Sequence, residues 1–185
     1  MPKDIGADWV ITADTPSDNA AAAAADPTSA ASNERCGRLA GRLVTNGPKD
    51  TVSAYLGGSI VSAFSQLTVY ATAAGAADCS AESAARFAQA GELARAFGSV
   101  FVNPDAVAVK PVDYPTVGDG SFATALTGDI NAAGTVVQLQ IVIIGFLKGN
   151  TSAVVGVAYA PLTTPSTKEL QPFVDLVLQR ISANQ

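Results

Sequence analysis

The chain has 185 residues, of which 48% are hydrophobic and 15% charged, a formal net charge of −5 and no histidine. This length suits one domain with a substantial core, and the acidic balance disfavours a nucleic-acid partner because phosphates would be repelled. The lack of histidine excludes Ser-His-Asp and Cys-His catalytic sets and most zinc sites. We therefore expect no catalytic residue, no metal site and no enzymatic activity.

The N-terminal region predicts one strand followed by a flexible loop. The segment DWVITAD is short and rich in β-branched residues, as an edge strand is. Residues 15–33 are of low complexity, with Pro16 and Pro27 on either side of an alanine run, a composition typical of a loop or linker. We predict residues 1–33 to be an N-terminal strand plus an alanine-rich flexible loop, and residues 34–185 to be a single α+β domain.

Residues 33–44 predict a short amphipathic helix. Its inward face contains Cys36, Leu39 and Leu43, which recur at helical spacing. The opposite face carries three arginines, Arg35, Arg38 and Arg42. Such a trio can hold an anion, but a solvated helix face is the favoured interpretation.

Two further elements are predicted before residue 100. Residues 60–72 are rich in β-branched and aromatic residues and predict a strand. Residues 78–97 contain strong helix formers, and Asp78 or Ser80 is available as the N-cap. Small residues recur at helical spacing in this second segment, so we expect a helix that packs closely against a sheet.

Four β-rich runs separated by turn residues then predict an antiparallel meander. The runs are AVAVKPV, SFATALTGDI, TVVQLQIVIIGFLK and SAVVGVAYA. Gly149 and Asn150 predict a type II′ hairpin turn between the last two runs, and Gly145 predicts a bulge. Alternation of polar and apolar residues predicts that the third run is half-buried near its start and more fully buried later.

The C-terminal residues predict an amphipathic helix over 170–183, with Ser166 and Glu169 in a capping-box pattern. Pro172 fits poorly beyond the first helical turn, so the regular helix begins either after Ser166 or near Gln171, and the boundary stays open. Together the elements predict an α+β domain in which an antiparallel sheet of about five or six strands packs against amphipathic helices.

Gly118 and Gly120 match part of a dinucleotide-binding pattern. Prolines interrupt the segment before these glycines, and the residues after them predict a strand rather than a helix, so a turn is favoured. We therefore expect no cofactor.

A ligand-binding rim is predicted where aromatic side chains and a carboxylate meet at a strand end, because such groups suit a polar ligand. The rim residues are Tyr55, Tyr114, Asp119 and Phe122. Turn formation and packing remain the alternative roles of these residues.

Cys36 and Cys79 are the two cysteines of the chain, and they form neither a C-x-x-C motif nor a zinc site, which would need histidine here. One disulfide or two separate buried thiols are the open alternatives.

The longest apolar stretch, residues 136–147, is shorter than the ~20 residues of a membrane-spanning helix. The opening segment also lacks the features of a signal peptide.

The order of these elements resembles the extracytoplasmic sensor-like domains of actinobacteria, a family that includes the outer domain of certain receptor Ser/Thr kinases and related secreted or lipid-anchored proteins. The resemblance is carried by DIGADW, Cys36, FSQLTVYAT followed by Cys79, YPTVGDGSFATALTG, the VQLQIVIIGFLKGNTSAVV hairpin and the closing helix. It implies an antiparallel sheet backed by helices, a disulfide, a position outside the membrane and a groove for an unidentified ligand, without enzymatic activity. The alanine run at 20–25 departs from the family, as do two cysteines where some relatives carry four.

We therefore predict a monomeric, non-catalytic binding or sensing domain of the cell envelope, secreted or membrane-anchored through a segment absent from this chain. Its ligand is expected to be a lipid, glycan or peptide, or its partner another protein. The alternative is a structural or protein-interaction module with no small-molecule ligand. A disulfide between Cys36 and Cys79 is expected to join the first helix to the start of the second, which implies an oxidising compartment.

Overall fold

The computed structural model describes residues 9–17, 27–48, 59–89, 100–160 and 166–183. Within these ranges the chain forms seven β-strands, three α-helices and one 3₁₀ turn. Their bounds in chain order are β1 (Trp9–Ser17), α1 (Pro27–Arg35), β2 (Arg38–Pro48), β3 (Ser59–Tyr70), α2 (Ala73–Phe87), the 3₁₀ turn (Pro104–Ala106), β4 (Ala108–Pro111), β5 (Gly120–Ala132), β6 (Thr135–Lys148), β7 (Thr151–Ala160) and α3 (Thr167–Ala183).

The described strands form one antiparallel sheet with the order β1-β2-β3-β7-β6-β5-β4. The predicted α+β class and the antiparallel sheet are therefore confirmed, as are the predicted strand over 60–72 and the C-terminal meander. The predicted number of five or six strands is wrong, because the sheet has seven. The additional strand is β2, whose sequence pattern had predicted a helix.

The predicted helix over 33–44 is wrong, because the chain is helical only as far as Arg35. Gly37 has a φ of 70°, the left-handed conformation that commonly ends a helix. From Arg38 the chain is extended, and β2 pairs with β1 on one side and β3 on the other, so that inter-strand hydrogen bonds replace helical ones. Residues 27–33, which had been predicted to belong to a loop, instead form most of α1.

The apolar side chains of β2 also differ from the prediction. Leu39 is 65% exposed and Leu43 is 37% exposed, whereas Cys36 is buried. The helical spacing of these three residues is therefore coincidental. Tertiary pairing with two neighbouring strands outweighs a weak local helical preference in this segment, which also contains Gly41 and Gly47.

Helices cover both faces of the sheet, which we call the α2 face and the α3 face after the helix on each. On the α3 face, four inward side chains of α3 pack on side chains of β6 and β7. The four residues of α3 are Leu170, Val174, Val177 and Ile181. On the α2 face, Phe87 packs with the apolar cluster that includes Leu126 and Ile143. Because β6 and β7 are covered on both sides, residues 141–146 are all buried while Gln138 is exposed, which confirms the predicted burial gradient.

α2 begins at Ala73, before the predicted start at residue 78. Its N-cap is Thr72, whose hydroxyl accepts a hydrogen bond from the Gly75 amide at 3.0 Å, so the predicted caps at Asp78 and Ser80 are wrong. The described part of the helix ends at Phe87, and residues 90–97 of the predicted helix lie outside the described residues, as does the alanine run at 20–25.

α3 begins at the Ser166–Glu169 pair that the sequence predicts, and of the capping box the bond from the Ser166 amide to the Glu169 side chain is formed. The Ser166 amide and hydroxyl both donate hydrogen bonds to the Glu169 carboxylate, at 2.7 and 2.8 Å, and these bonds lower the pKa of Glu169. Of the two starts that the sequence leaves open, the structure shows the earlier one, because the helix begins at Thr167 and continues through Pro172. Pro172 has no N–H to donate to the Lys168 carbonyl, and both residues are exposed.

Gly145 does not form the predicted bulge, because the register of β6 with both β5 and β7 is continuous through it. Its role is steric. The ring of Phe122 on β5 lies across Gly145 and stacks on Phe87 of α2 with 5.4 Å between ring centroids, so a Cβ at residue 145 would overlap the Phe122 ring. Glycine is required there to make room for the aromatic pair.

Replacing Gly145 by alanine is expected to lower the free energy of unfolding by about 1–3 kcal/mol, the usual effect of overpacking a filled core. Gly120→Ala is the matched control, because a Cβ at Gly120 would meet nothing within 4 Å, and its effect should stay within about 0.5 kcal/mol. Urea denaturation of the two variants and the wild type measures both changes. Equal midpoints for both variants would show that the Phe122 ring yields without loss of packing.

Candidate functional site

The predicted ligand-binding rim is divided by the sheet. Tyr114 packs on the α3 face, and its hydroxyl donates a hydrogen bond to Gln171 Oε1 at 3.0 Å. Phe122 packs on the opposite, α2 face against Phe87. Tyr55 lies outside the described residues. The structure therefore does not bring Tyr114 and Phe122 together at one rim.

Asp119, the fourth rim residue, joins two turns at one end of the sheet. Its amide donates to the Leu147 carbonyl at 2.8 Å, and its Oδ2 accepts from the Gly149 amide at 2.7 Å. Oδ1 also lies 3.8 Å from Lys148 Nζ. Gly118 before it has a φ of 61°, and strand β5 rather than a helix follows, as the turn interpretation of this segment predicts.

The β6–β7 turn at residues 149 and 150 is fixed to a neighbouring strand. Gly149 has a φ of 58°, in agreement with the predicted type II′ turn. Asn150 Nδ2 donates to the Tyr70 carbonyl at 2.8 Å, and the Tyr70 amide donates to the Asn150 carbonyl at 2.9 Å. Burial raises the pKa of Tyr70, and the positive charge of Arg38 opposes that shift. The turn is thus held in place by the end of β3.

A cavity of about 720 Å³ opens beside this turn on the α3 face, between β2, β3 and the last turn of α3. We call it the arginine cavity, because Arg42 and Arg180 are the charged side chains among the described residues that line it. The described residues that line it are Ala40, Gly41, Arg42, Leu67, Val69, Gly149, Asn150, Thr151, Arg180 and Ile181. Apolar residues and two arginines therefore line one depression.

Sheet register and helix packing place the two arginines. Arg42 pairs with Leu67 across β2 and β3, and directly paired residues project to the same side of a sheet. Arg180 precedes Ile181, which is buried against the sheet, and it lies at the helix C-terminus, where the macrodipole favours a cation. Residues that are distant in the sequence thereby face one cavity.

The three arginines that the sequence pattern grouped together are separated in the structure. Arg35 lies on α1 and binds the carboxylate of Glu82, whose pKa is lowered by hydrogen bonds from Ser32 and Arg35. Arg38 is buried. Arg42 alone of the three lines the cavity, and its companion there is Arg180. No local signal pairs these two residues, because the pairing depends on the sheet order.

The predicted disulfide is confirmed. Cys36 and Cys79 are bonded, with their Cα atoms 6.0 Å apart, and both are buried with Tyr70 and Ala76 on the α2 face. Cys36 directly follows α1, while Cys79 lies within α2 rather than at its start, because α2 begins earlier than predicted. The bridge therefore joins the α1–β2 connection to the body of α2.

Neither a metal cluster nor a membrane-spanning helix is found in the described parts of the chain. In these ranges, no three Cys, Asp or Glu side chains stand together as metal ligands. None of the described helices has the length and apolar character to cross a bilayer. None of the protein-family models, curated proteins or solved structures with which the chain was compared matches it. The fold and the arginine cavity therefore carry the functional argument.

Proposed function

We propose that the chain is a non-catalytic domain that binds or senses a ligand in the cell envelope, and that the arginine cavity is its binding site. The cavity is the observation that carries the proposal. Its volume of about 720 Å³ lies within the range of about 300–1,000 Å³ that is usual for small-molecule sites. It also has the usual composition of such sites, with apolar walls and a few polar groups.

The disulfide supports a location outside the cytoplasm. Disulfides persist in oxidising compartments and are rare in the cytosol, where thiols are kept reduced. The bridge between Cys36 and Cys79 is buried, as a structural disulfide is. The resemblance of the sequence to actinobacterial extracytoplasmic sensor-like domains agrees with this location and with a sensing role.

The chemistry of the cavity supports binding rather than catalysis. The chain has no histidine, and the described residues that line the cavity include neither a carboxylate nor a thiol. Arginine keeps its proton at physiological pH, so Arg42 and Arg180 can orient an anion but cannot act as a general base. The hydroxyl of Thr151 has no general base among the described lining residues to activate it.

We expect at least one envelope component to stabilise the protein in a thermal-shift screen of lipids, glycans, peptides and peptidoglycan fragments. A ligand at 100 times its dissociation constant adds ~2.7 kcal/mol to the free energy of unfolding. Ala40→Trp should strongly reduce the shift, because Ala40 lines the cavity and a large side chain there takes up space beside Arg42. Leu39→Trp is the matched control, since Leu39 is exposed and is not part of the lining.

Each outcome of this screen decides a different point. A shift that Ala40→Trp strongly reduces and Leu39→Trp retains supports both the function and the site. A shift of equal size in both variants supports a binding function but places the ligand outside the cavity. If no ligand of any class produces a thermal shift, the proposal is contradicted and a structural or protein-interaction module is favoured.

A further inference from the structure

We infer that the arginine cavity binds an anionic amphiphile, a molecule with a carboxylate or phosphate headgroup and an apolar chain. This inference rests on the proposed function and specifies its ligand class. In the proposed arrangement Arg42 and Arg180 hold the headgroup, and the apolar chain lies against Leu67, Val69 and Ile181, which line the same cavity.

The charge of the lining differs in sign from that of the whole chain. The protein has 16 acidic and 11 basic residues, yet both charged side chains among the described lining residues are arginines. Asp119 contacts the adjacent turn, but its carboxylate already accepts a hydrogen bond from Gly149 and faces Lys148. The charged side chains in the described part of the lining are therefore basic on an acidic protein, and guanidinium groups bind anions even where they also contact other groups of the protein.

The guanidinium groups match carboxylates and phosphates in geometry. Each guanidinium carries five N–H donors in a planar fork, and two of them can bind two oxygens of one anion. Because the donors are this numerous, an arginine that makes a contact within the protein still has donors for a ligand. Arg42 is exposed and Arg180 is half-buried, so solvent and ligand can reach both.

The size of the cavity favours an amphiphile over a small free anion. An inorganic phosphate would occupy only a small part of about 720 Å³ and would leave the apolar wall in contact with water. An apolar chain on that wall gains roughly 25 cal/mol per Å² of apolar surface removed from water. A ligand with both parts therefore uses the whole lining.

The test compares probes that share one chain length and differ in headgroup charge. Binding to the wild type is measured by calorimetry, below the micelle concentration, for dodecanoate, dodecyl phosphate, dodecanol and dodecyltrimethylammonium, with inorganic phosphate as the chain-free anion. We expect the two anionic amphiphiles to bind at least tenfold more tightly than dodecanol, the cationic probe or inorganic phosphate. We also expect their affinity to fall as salt rises, because the arginines are accessible to solvent.

Two variants identify the residues responsible. Arg42→Gln and Arg180→Gln should each weaken dodecanoate binding about tenfold or more, as expected for the loss of a charge-assisted hydrogen bond. Lys110→Gln is the matched control, because it removes one positive charge from β4, outside the cavity, and should change affinity less than twofold. The comparison of probes on the wild type stands even if a variant folds poorly.

Three results would overturn the inference. Equal binding of dodecanol and dodecanoate, unaffected by either arginine variant, would show an apolar site and leave the proposed function intact. Binding of inorganic phosphate as tight as that of dodecyl phosphate would show a site for the anion alone. If no dodecyl probe binds but the envelope screen finds a glycan or peptide in the cavity, the ligand class is wrong and the function stands. If no compound in the envelope screen produces a thermal shift either, both the ligand class and the proposed function are wrong.

Discussion

Removal of the disulfide between Cys36 and Cys79 is expected to lower the free energy of unfolding by about 4 kcal/mol. The bonded residues are 43 positions apart, and closing a loop of this length restricts the unfolded chain by roughly that amount in the chain-entropy model. Because domains of this size are stable by only about 5–15 kcal/mol, the bridge supplies a large share of the stability. The bond also joins the α1–β2 connection to α2.

Urea denaturation of the oxidised protein, the reduced protein and a Cys36→Ala, Cys79→Ala double variant measures this contribution. The reduced protein and the double variant should both unfold at lower urea concentration than the oxidised protein. Reductant added to the double variant serves as the control and should change nothing. Coincident curves for oxidised and reduced wild type, or two thiols that react before reduction in the denatured protein, would show that the bridge does not form in solution.

Leu170→Ala is expected to lower the free energy of unfolding by about 2–5 kcal/mol. Leu170 is 1% exposed in the first turn of α3 and packs into the apolar cluster of the α3 face. Truncation at such a site removes buried methyl groups and leaves a cavity, which together have effects of this size. Because α3 also carries Arg180, weaker docking of the helix should reduce ligand binding in the arginine cavity as well.

Leu39→Ala makes the same chemical change on an exposed site and is the control. Leu39 is 65% exposed, so its truncation should change stability by no more than about 0.5 kcal/mol. The comparison also tests whether Leu39 is exposed, as in the structure, or lies on the inward face that its helical spacing predicts. Large and equal losses in the two variants would contradict the packing described for both residues.

The elements that sequence analysis predicted correctly are those whose signals are local. The turn at Gly149 and Asn150 and the alternation along β6 depend on neighbours in the sequence, and both are confirmed. The apolar residues of α3 recur at helical spacing over about three turns, so its apolar face was predicted as well. The disulfide could be predicted from the sequence because two cysteines allow a single pairing.

The features that sequence analysis missed depend on non-local pairing. β2 has a short helical pattern of apolar residues, and it becomes a strand because β1 and β3 pair with it on both sides. The predicted rim combined Tyr114 and Phe122 because both flank one turn region, yet they project to opposite faces of the sheet. Arg42 and Arg180 line one cavity because α3 packs on the same face of the sheet toward which Arg42 projects.

The hydrogen bond from Asn150 to Tyr70 affects the choice of expression host. Asn150, Thr151 and Ser152 form an N-glycosylation sequon, and the oligosaccharide would be attached to the same nitrogen that donates to the Tyr70 carbonyl. A glycan there would replace one of the two hydrogens on this nitrogen, and because Asn150 also lines the arginine cavity, it would crowd the mouth of the cavity. Bacterial periplasmic production, which supplies the disulfide without the sugar, therefore preserves the site that a ligand would enter.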